Sequence, residues 1–220
     1  TFKHAMVQDA AYESLLKSKR QQLHTAIART LEERFAARRA TEPEVLAYHY
    51  TEAALIEHAV PYWLAAGQSA IARVALLAAV SHLTKGMAQV QNLQPTGFRD
   101  EIELKLRSAL GTAYLGVKGW AAPEIVETFE PARSLSRKLD ATQQLWTTLF
   151  YLWGHYLCRA EYGKSGELAA ELMDSAADDD QSDMRVIADW CTQLQLTWTG
   201  KFPEALKHHR HLRQFYDFEC

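Results

Sequence analysis

One spacing recurs along this chain: a small or medium residue, a second three positions on, a third small residue about twelve after the first, and a bulky one four beyond that. Ala47 and Tyr50 lead in this way to Ala59, Trp63 and Ala66, and Gly67 and Ala70 lead to Ala79, Leu83 and Gly86. A C-terminal copy runs from Gln193 and Leu196 through Gly200-Lys201-Phe202-Pro203-Glu204-Ala205 to His209 and Leu212. Two copies are looser. Gly111 and Tyr114 reach Ile125, Phe129 and Ala132 through a longer turn, and Gly154 and Leu157 reach Gly166 with only Ala170 at the bulky position. Two antiparallel helices approach closely where a Gly or Ala faces the partner and a bulky neighbour fills the gap beside it. A hairpin of this kind leaves one apolar face uncovered, so the pattern predicts several hairpins that cover one another.

The copies resemble tetratricopeptide (TPR) units, and the expected fold is all-α, a right-handed superhelical solenoid of antiparallel helix hairpins. The period departs from the standard length of about 34 residues. Gly67 to Gly111 is 44, Gly111 to Gly154 is 43, Gly154 to Gln193 is 39, and Ala47 to Gly67 is only 20. The short interval means that the helix around residues 57–74 serves two hairpins at once. The reading is therefore TPR-like, with residues 1–40 as a helical segment preceding the repeats and 41–220 as the repeats themselves.

With 48% hydrophobic residues the chain can bury a large area, spread along its length if it is a solenoid. Apolar residues recur at helical spacing, as in Ile102, Leu106, Ala109 and Leu110, and the 6 prolines and 10 glycines fall mostly at element ends. A net charge of -3 gives no global attraction to nucleic acid or to an anionic membrane. The small basic clusters Lys17, Lys19, Arg20 and Arg34, Arg38, Arg39 read as solvated helix faces. Cys158, Cys191 and Cys220 are too far apart for a Cys-x-x-Cys site and odd in number, which fits a reducing cytoplasm. No run approaches the roughly 18 apolar residues of a membrane span, and no signal peptide opens the chain. Without an initiator methionine, and stopping soon after a helix, the chain is expected to be a fragment of a longer protein.

Residues 3–17 and 18–37 read as two amphipathic helices, the first with Ala11, Leu15 and Leu16 on its apolar face, the second with Leu23, Ile27, Leu31 and Phe35. Thr41-Glu42-Pro43-Glu44 predicts a helix start with Thr41 as N-cap. Pro95 and Gly97 mark a break before Asp100, Gly116 to Pro123 is a longer connection around Trp120, and Asp178 to Ser182 is a solvated loop with Asp183 as the next N-cap.

The opening, Phe2-Lys3-His4-Ala5-Met6-Val7-Gln8-Asp9-Ala10-Ala11-Tyr12, followed by Arg20, Leu23-His24, Ile27-Ala28 and Leu31-Glu32, is similar to the junction in bacterial STAND-type signalling ATPases. There the winged-helix part of the nucleotide module hands over to TPR-like repeats. Leu46-Ala47-Tyr48-His49-Tyr50, Ala59, Tyr62-Trp63 and Ala66-Gly67 continue the likeness, which points in particular to the subset fused to a class III adenylate or guanylate cyclase. In that family a Met-His-Asp motif contacts the phosphate of bound ADP. His4 matches its histidine, while Ala5 stands where the aspartate would be, and a plain helix-start role for His4 remains the alternative. No Gly-x-x-x-x-Gly-Lys-Ser/Thr loop is present, so no nucleotide or other cofactor is expected to bind this fragment itself.

His208, His209 and His211 invite a metal reading, but no carboxylate or cysteine at helical spacing completes a ligand set, and His209 falls on a repeat packing position. No metal site and no catalytic residue is expected: Glu101 and Glu103, or Glu167 and Glu171, have no nearby histidine or lysine pattern that would give them acid–base roles, and no Gly-x-Ser-x-Gly elbow occurs. Trp63, Trp146, Trp153, Trp190 and Trp198 read mainly as core, with lining a groove as the alternative for the last four. The repeat register places Lys105, Ser108, Thr112, Tyr151, His155 and Trp190 on the inner face of a curved array, a mix suited to a peptide or another domain. The function implied is a non-catalytic regulatory arm that binds a protein, peptide or effector and controls a nucleotide switch. Self-association that brings parent domains together is the alternative, and a metal-dependent enzyme built on His208 to His211 the third.

Overall fold

The computed structural model describes residues 12, 14–35, 41–176 and 183–214. Among them the chain forms ten helices and no strand. These are α1 (Lys17–Arg34), α2 (Pro43–Glu52), α3 (Ile56–Ala72), α4 (Leu76–Val90), α5 (Gly97–Lys118), α6 (Pro123–Lys138), α7 (Thr142–Cys158), α8 (Tyr162–Ser175), α9 (Asp183–Trp198) and α10 (Phe202–Leu212). The chain divides into two compact units within α5, between Ala113 and Tyr114. Residues 36–40, where the sequence places its domain boundary, and His4 lie outside the described residues.

Five connections are one and the same turn. Ala54, Val74, Asp140, Ala160 and Gly200 each take a left-handed φ between 50° and 76°. The next residue's N–H then donates to the carbonyl five positions back, as in Leu55 to Tyr50, Ala75 to Ala70, Ala141 to Ser136, Glu161 to Tyr156 and Lys201 to Leu196, all at 2.8–2.9 Å. This is the Schellman closure, which satisfies carbonyls that a helix end otherwise leaves orphaned. It also reverses the chain so sharply that the following helix begins two residues after the left-handed position.

In the first unit α3 packs on both α2 and α4, as the 20-residue interval predicts. Its two faces are both buried, through Ala59, Trp63 and Ala66 and through Gly67 and Ala70. A methyl group on Gly67 would lie 2.3 Å from the Leu83 side chain, and one on Gly86 would lie 2.9 Å from Leu106 and 3.1 Å from Trp63. At both positions a methyl group would have to displace its neighbour. The small and bulky places of the repeat are thus physical seats.

α1 departs from its predicted packing. Leu23, Ile27 and Phe35 are exposed, and His24 and Ala28 are buried instead. The seam with α2 is part apolar, where Ala28 and the predicted Leu31 pack with Leu46, Ala47 and Tyr50, and part polar. His24 bonds the Tyr12 hydroxyl and the Nδ1 of His49, both at 2.8 Å. Glu32 accepts from Tyr50 and Tyr62, each at 2.5 Å, and burial followed by this bond pushes the Tyr50 hydroxyl pKa up. α2 starts at Pro43 with Glu42, not Thr41, in the cap position.

In the second unit Ile125, Phe129 and Ala132 of α6 are fully buried at their predicted places. The looser copy is out of register. Ala170 is exposed, and α8 turns Ser165, Leu168, Ala169 and Leu172 inward. The reason is the Ser165 hydroxyl, which donates to Gln195 Oε1 at 2.7 Å across to α9. In α10, Ala205 and Leu212 are buried but His209 is exposed, against its predicted packing role.

Val74 is β-branched, left-handed and 77% exposed, so its side chain contributes strain and little packing. Val74→Gly is expected to stabilise the fold by about 0.5 kcal/mol, the relief of strain outweighing the extra freedom of the unfolded chain. The check is calorimetry: an unchanged or lower Tm would show that the turn carries no such strain.

Candidate functional site

The second unit gathers its aromatic residues around one loop side chain. α5 ends at Lys118, Gly119 turns the chain with φ 82°, and α6 restarts at Pro123. Trp120, between them, lays its indole against Gly154 of α7. A methyl group at Gly154 would stand 2.3 Å from the Trp120 ring, so the ring occupies the space a side chain would need. His155 secures the same loop by donating its Nδ1–H to the Trp120 carbonyl at 2.9 Å. Burial lowers the His155 pKa more than this bond raises it, so the ring is neutral and in the Nδ1–H form at neutral pH.

Around this anchor Phe150, Trp153, Leu157 and Cys158 of α7 and Trp190 and Leu194 of α9 line, with Trp120, a half-open cavity of about 200 Å³. Phe150 is central: its ring lies 5.9 Å from Trp120, 5.9 Å from Trp153 and 6.4 Å from Trp190. Trp153 and Trp190 meet edge to face at 5.5 Å. No ionised side chain stands on the wall. Trp63 in the first unit donates its indole N–H to Thr51 at 3.0 Å, whereas the buried N–H of Trp153 has no partner among the described residues.

The residues singled out from sequence separate into two groups. Tyr151, His155 and Trp190 fall around the aromatic cluster: Tyr151 stacks on Phe129 at 4.9 Å and tilts against Trp120, His155 is buried, and Trp190 is 44% exposed at the cavity. Lys105, Ser108 and Thr112 belong to the first unit. Lys105 is exposed, while Ser108 and Thr112 return their hydroxyls to the backbone carbonyls of Leu104 and Ser108. Sequence reasoning did not single out Trp120, Phe150 and Gly154; it placed Trp153 in the core, where it is 2% exposed. The available signal was the lone aromatic in the Gly116–Pro123 connection, together with Phe150, Trp153 and Leu157 at helical spacing opposite Trp190 and Leu194.

The histidine cluster has a partner that helical spacing could not show. Asp189 of α9, 1% exposed, accepts from His208 Nδ1 and His211 Nδ1, each at 2.6 Å, and from Arg185 Nε at 3.0 Å. Burial alone would raise the carboxyl pKa, but the three donors outweigh it and hold Asp189 below the usual carboxylate range. The cluster pins α10 to α9. Among the described residues no group of three or more His, Cys, Asp or Glu is placed to hold a metal ion, and no helix is long and apolar enough to cross a membrane.

No family model matches the chain. The chain is similar to an uncharacterized protein of Rhizobium meliloti (strain 1021), 22% identical over 191 residues. That match takes in 86% of this chain but only 18% of the relative, so the chain spans less than a fifth of that protein's length.

Gly154→Ala should cost about 1–3 kcal/mol by forcing Trp120 from its seat, and should shift Trp fluorescence as the ring gains water. Retained stability and spectrum would mean that the loop adapts freely. Asp189→Ala should cost about 2–3 kcal/mol because three buried or half-buried donors lose their acceptor. Since the folded pKa of Asp189 is depressed, its stabilisation is complete above the unfolded value near about 3.9 and is lost as pH falls through the folded value. In denaturant titrations the gap between wild type and variant should therefore hold from pH 7 down to about 4 and narrow only below that.

Proposed function

We propose that this chain is a non-catalytic, TPR-like interaction and regulatory module of a larger cytoplasmic signalling ATPase, of the kind that carries a class III adenylate or guanylate cyclase. Its hairpins form a right-handed superhelical solenoid that binds an effector, peptide or protein and biases the nucleotide switch of the parent chain. The observation that carries this reading is the cavity around Trp120, Phe150, Trp153 and Trp190: an apolar site held by a repeat framework, with no ionised group on its wall to do chemistry. Supporting it are the repeated turns and glycine seats, the resemblance of residues 2–90 to the ATPase–repeat junction, and the far greater length of the Rhizobium relative. His4 would serve the nucleotide module only in the full-length parent.

A second reading, self-association that pairs parent domains, is favoured by Trp198, Phe202 and Leu206, which are 62%, 64% and 46% exposed around the last turn. An apolar group of this kind marks contact surfaces. Light scattering across a concentration series separates the two readings. The effector-binding arm is expected to remain a monomer at every concentration. A stable dimer, dissociated by Trp198→Ser with Phe202→Ser, would replace it with the scaffold.

A further inference from the structure

We infer that the cavity in the second unit binds a small, uncharged, planar molecule of one or two fused rings. This deepens the reading of the chain as an effector-binding module and rests on it.

Size sets the first limit. An apolar cavity of about 150 Å³ is enough for benzene, so a half-open pocket of about 200 Å³ admits a ring system such as indole. Wall chemistry sets the second. An ionised ligand would shed its hydration shell against Trp120, Phe150, Trp153, Leu157, Trp190 and Leu194, none of which returns a compensating charge.

Ring geometry adds preference to fit. Phe150 is tilted 81° to Trp120 and 29° to Trp153, and Trp190 is tilted 64° to Trp153, so the wall offers both edges and faces to an entering ring. A flat aromatic guest makes edge-to-face and offset contacts with such walls. The seat is also prepared in advance, because Gly154 and the His155 bond hold Trp120 in place without a ligand. Trp190, only partly covered, stands at the cavity as the side chain with most surface left to bury.

The test uses the 220-residue chain with indole, tetramethylammonium and benzoate as probes of neutral, cationic and anionic character. Millimolar indole is expected to raise the unfolding midpoint by a few degrees. It should also slow alkylation of Cys158 by iodoacetamide several-fold, because this thiol is exposed and lies on the cavity wall. Tetramethylammonium and benzoate should do neither. Leu194→Trp, which fills the cavity from within, should abolish both indole effects while unfolding cooperatively; if that variant fails to fold, Trp190→Ala should weaken both. Absent protection by indole, equal effects in the variants, or stronger protection by either ion overturns the inference. A monomeric, folded chain that ignores indole removes the ligand class alone, whereas a stable dimer in light scattering removes the reading beneath it.

Discussion

Two packed helices can come no closer than the bulkiest side chain between them permits, and in this chain that limit is set where a Cβ is missing. Gly67 receives Leu83, Gly86 receives Leu106 and Trp63, and Gly154 receives Trp120. The first two pairings fix how one helix is rotated and how far it slides along its neighbour, and the third fixes the loop after α5 against α7. The turn between α3 and α4 can then be short, since the left-handed Val74 closes one helix and the next starts within two positions. Four of the five turns accept a non-glycine residue in that conformation. Side-chain seating therefore outweighs local backbone preference in this fold.

How much was legible in the amino-acid order depended on whether a position is governed by contact or by hydrogen bonding. Ala59, Trp63, Gly67, Ala70, Ala79, Leu83 and Gly86 follow from the spacing of small and bulky residues, because steric fit has a period and periods are visible in a sequence. The shared role of α3 followed from the same arithmetic. What escaped was polar and long-range. His24 rather than Leu23 or Ile27 faces α2, since a Tyr–His–His chain holds that seam. Ala170 lost its place because Ser165 reaches Gln195 on another helix. Asp189 lies 19 and 22 residues from the histidines it joins, a separation with no helical signature.

The candidate site was half visible for a related reason. Of the residues singled out by register only Trp190 stands on the cavity wall, with Tyr151 and His155 packed beside it; register describes helices, and the organising residue, Trp120, sits in a connection. Its indole completes the helix–helix packing where the repeat pattern is loosest. The cavity lies beside that irregularity. The site and the defect in the repeat have one origin: a connection that contributes a side chain where the other copies use a helix.

α3 is packed on two sides. With α2 on one face and α4 on the other, its two buried stripes are locked at a fixed angular offset around a single axis. One inserted or deleted residue in its middle would rotate one stripe by about 100° against the other and unseat both neighbours together. Length variation in this half of the molecule is thereby confined to connections such as residues 91–96. A substitution that unseats α2 and one that unseats α4 thus act on the same helix from opposite stripes.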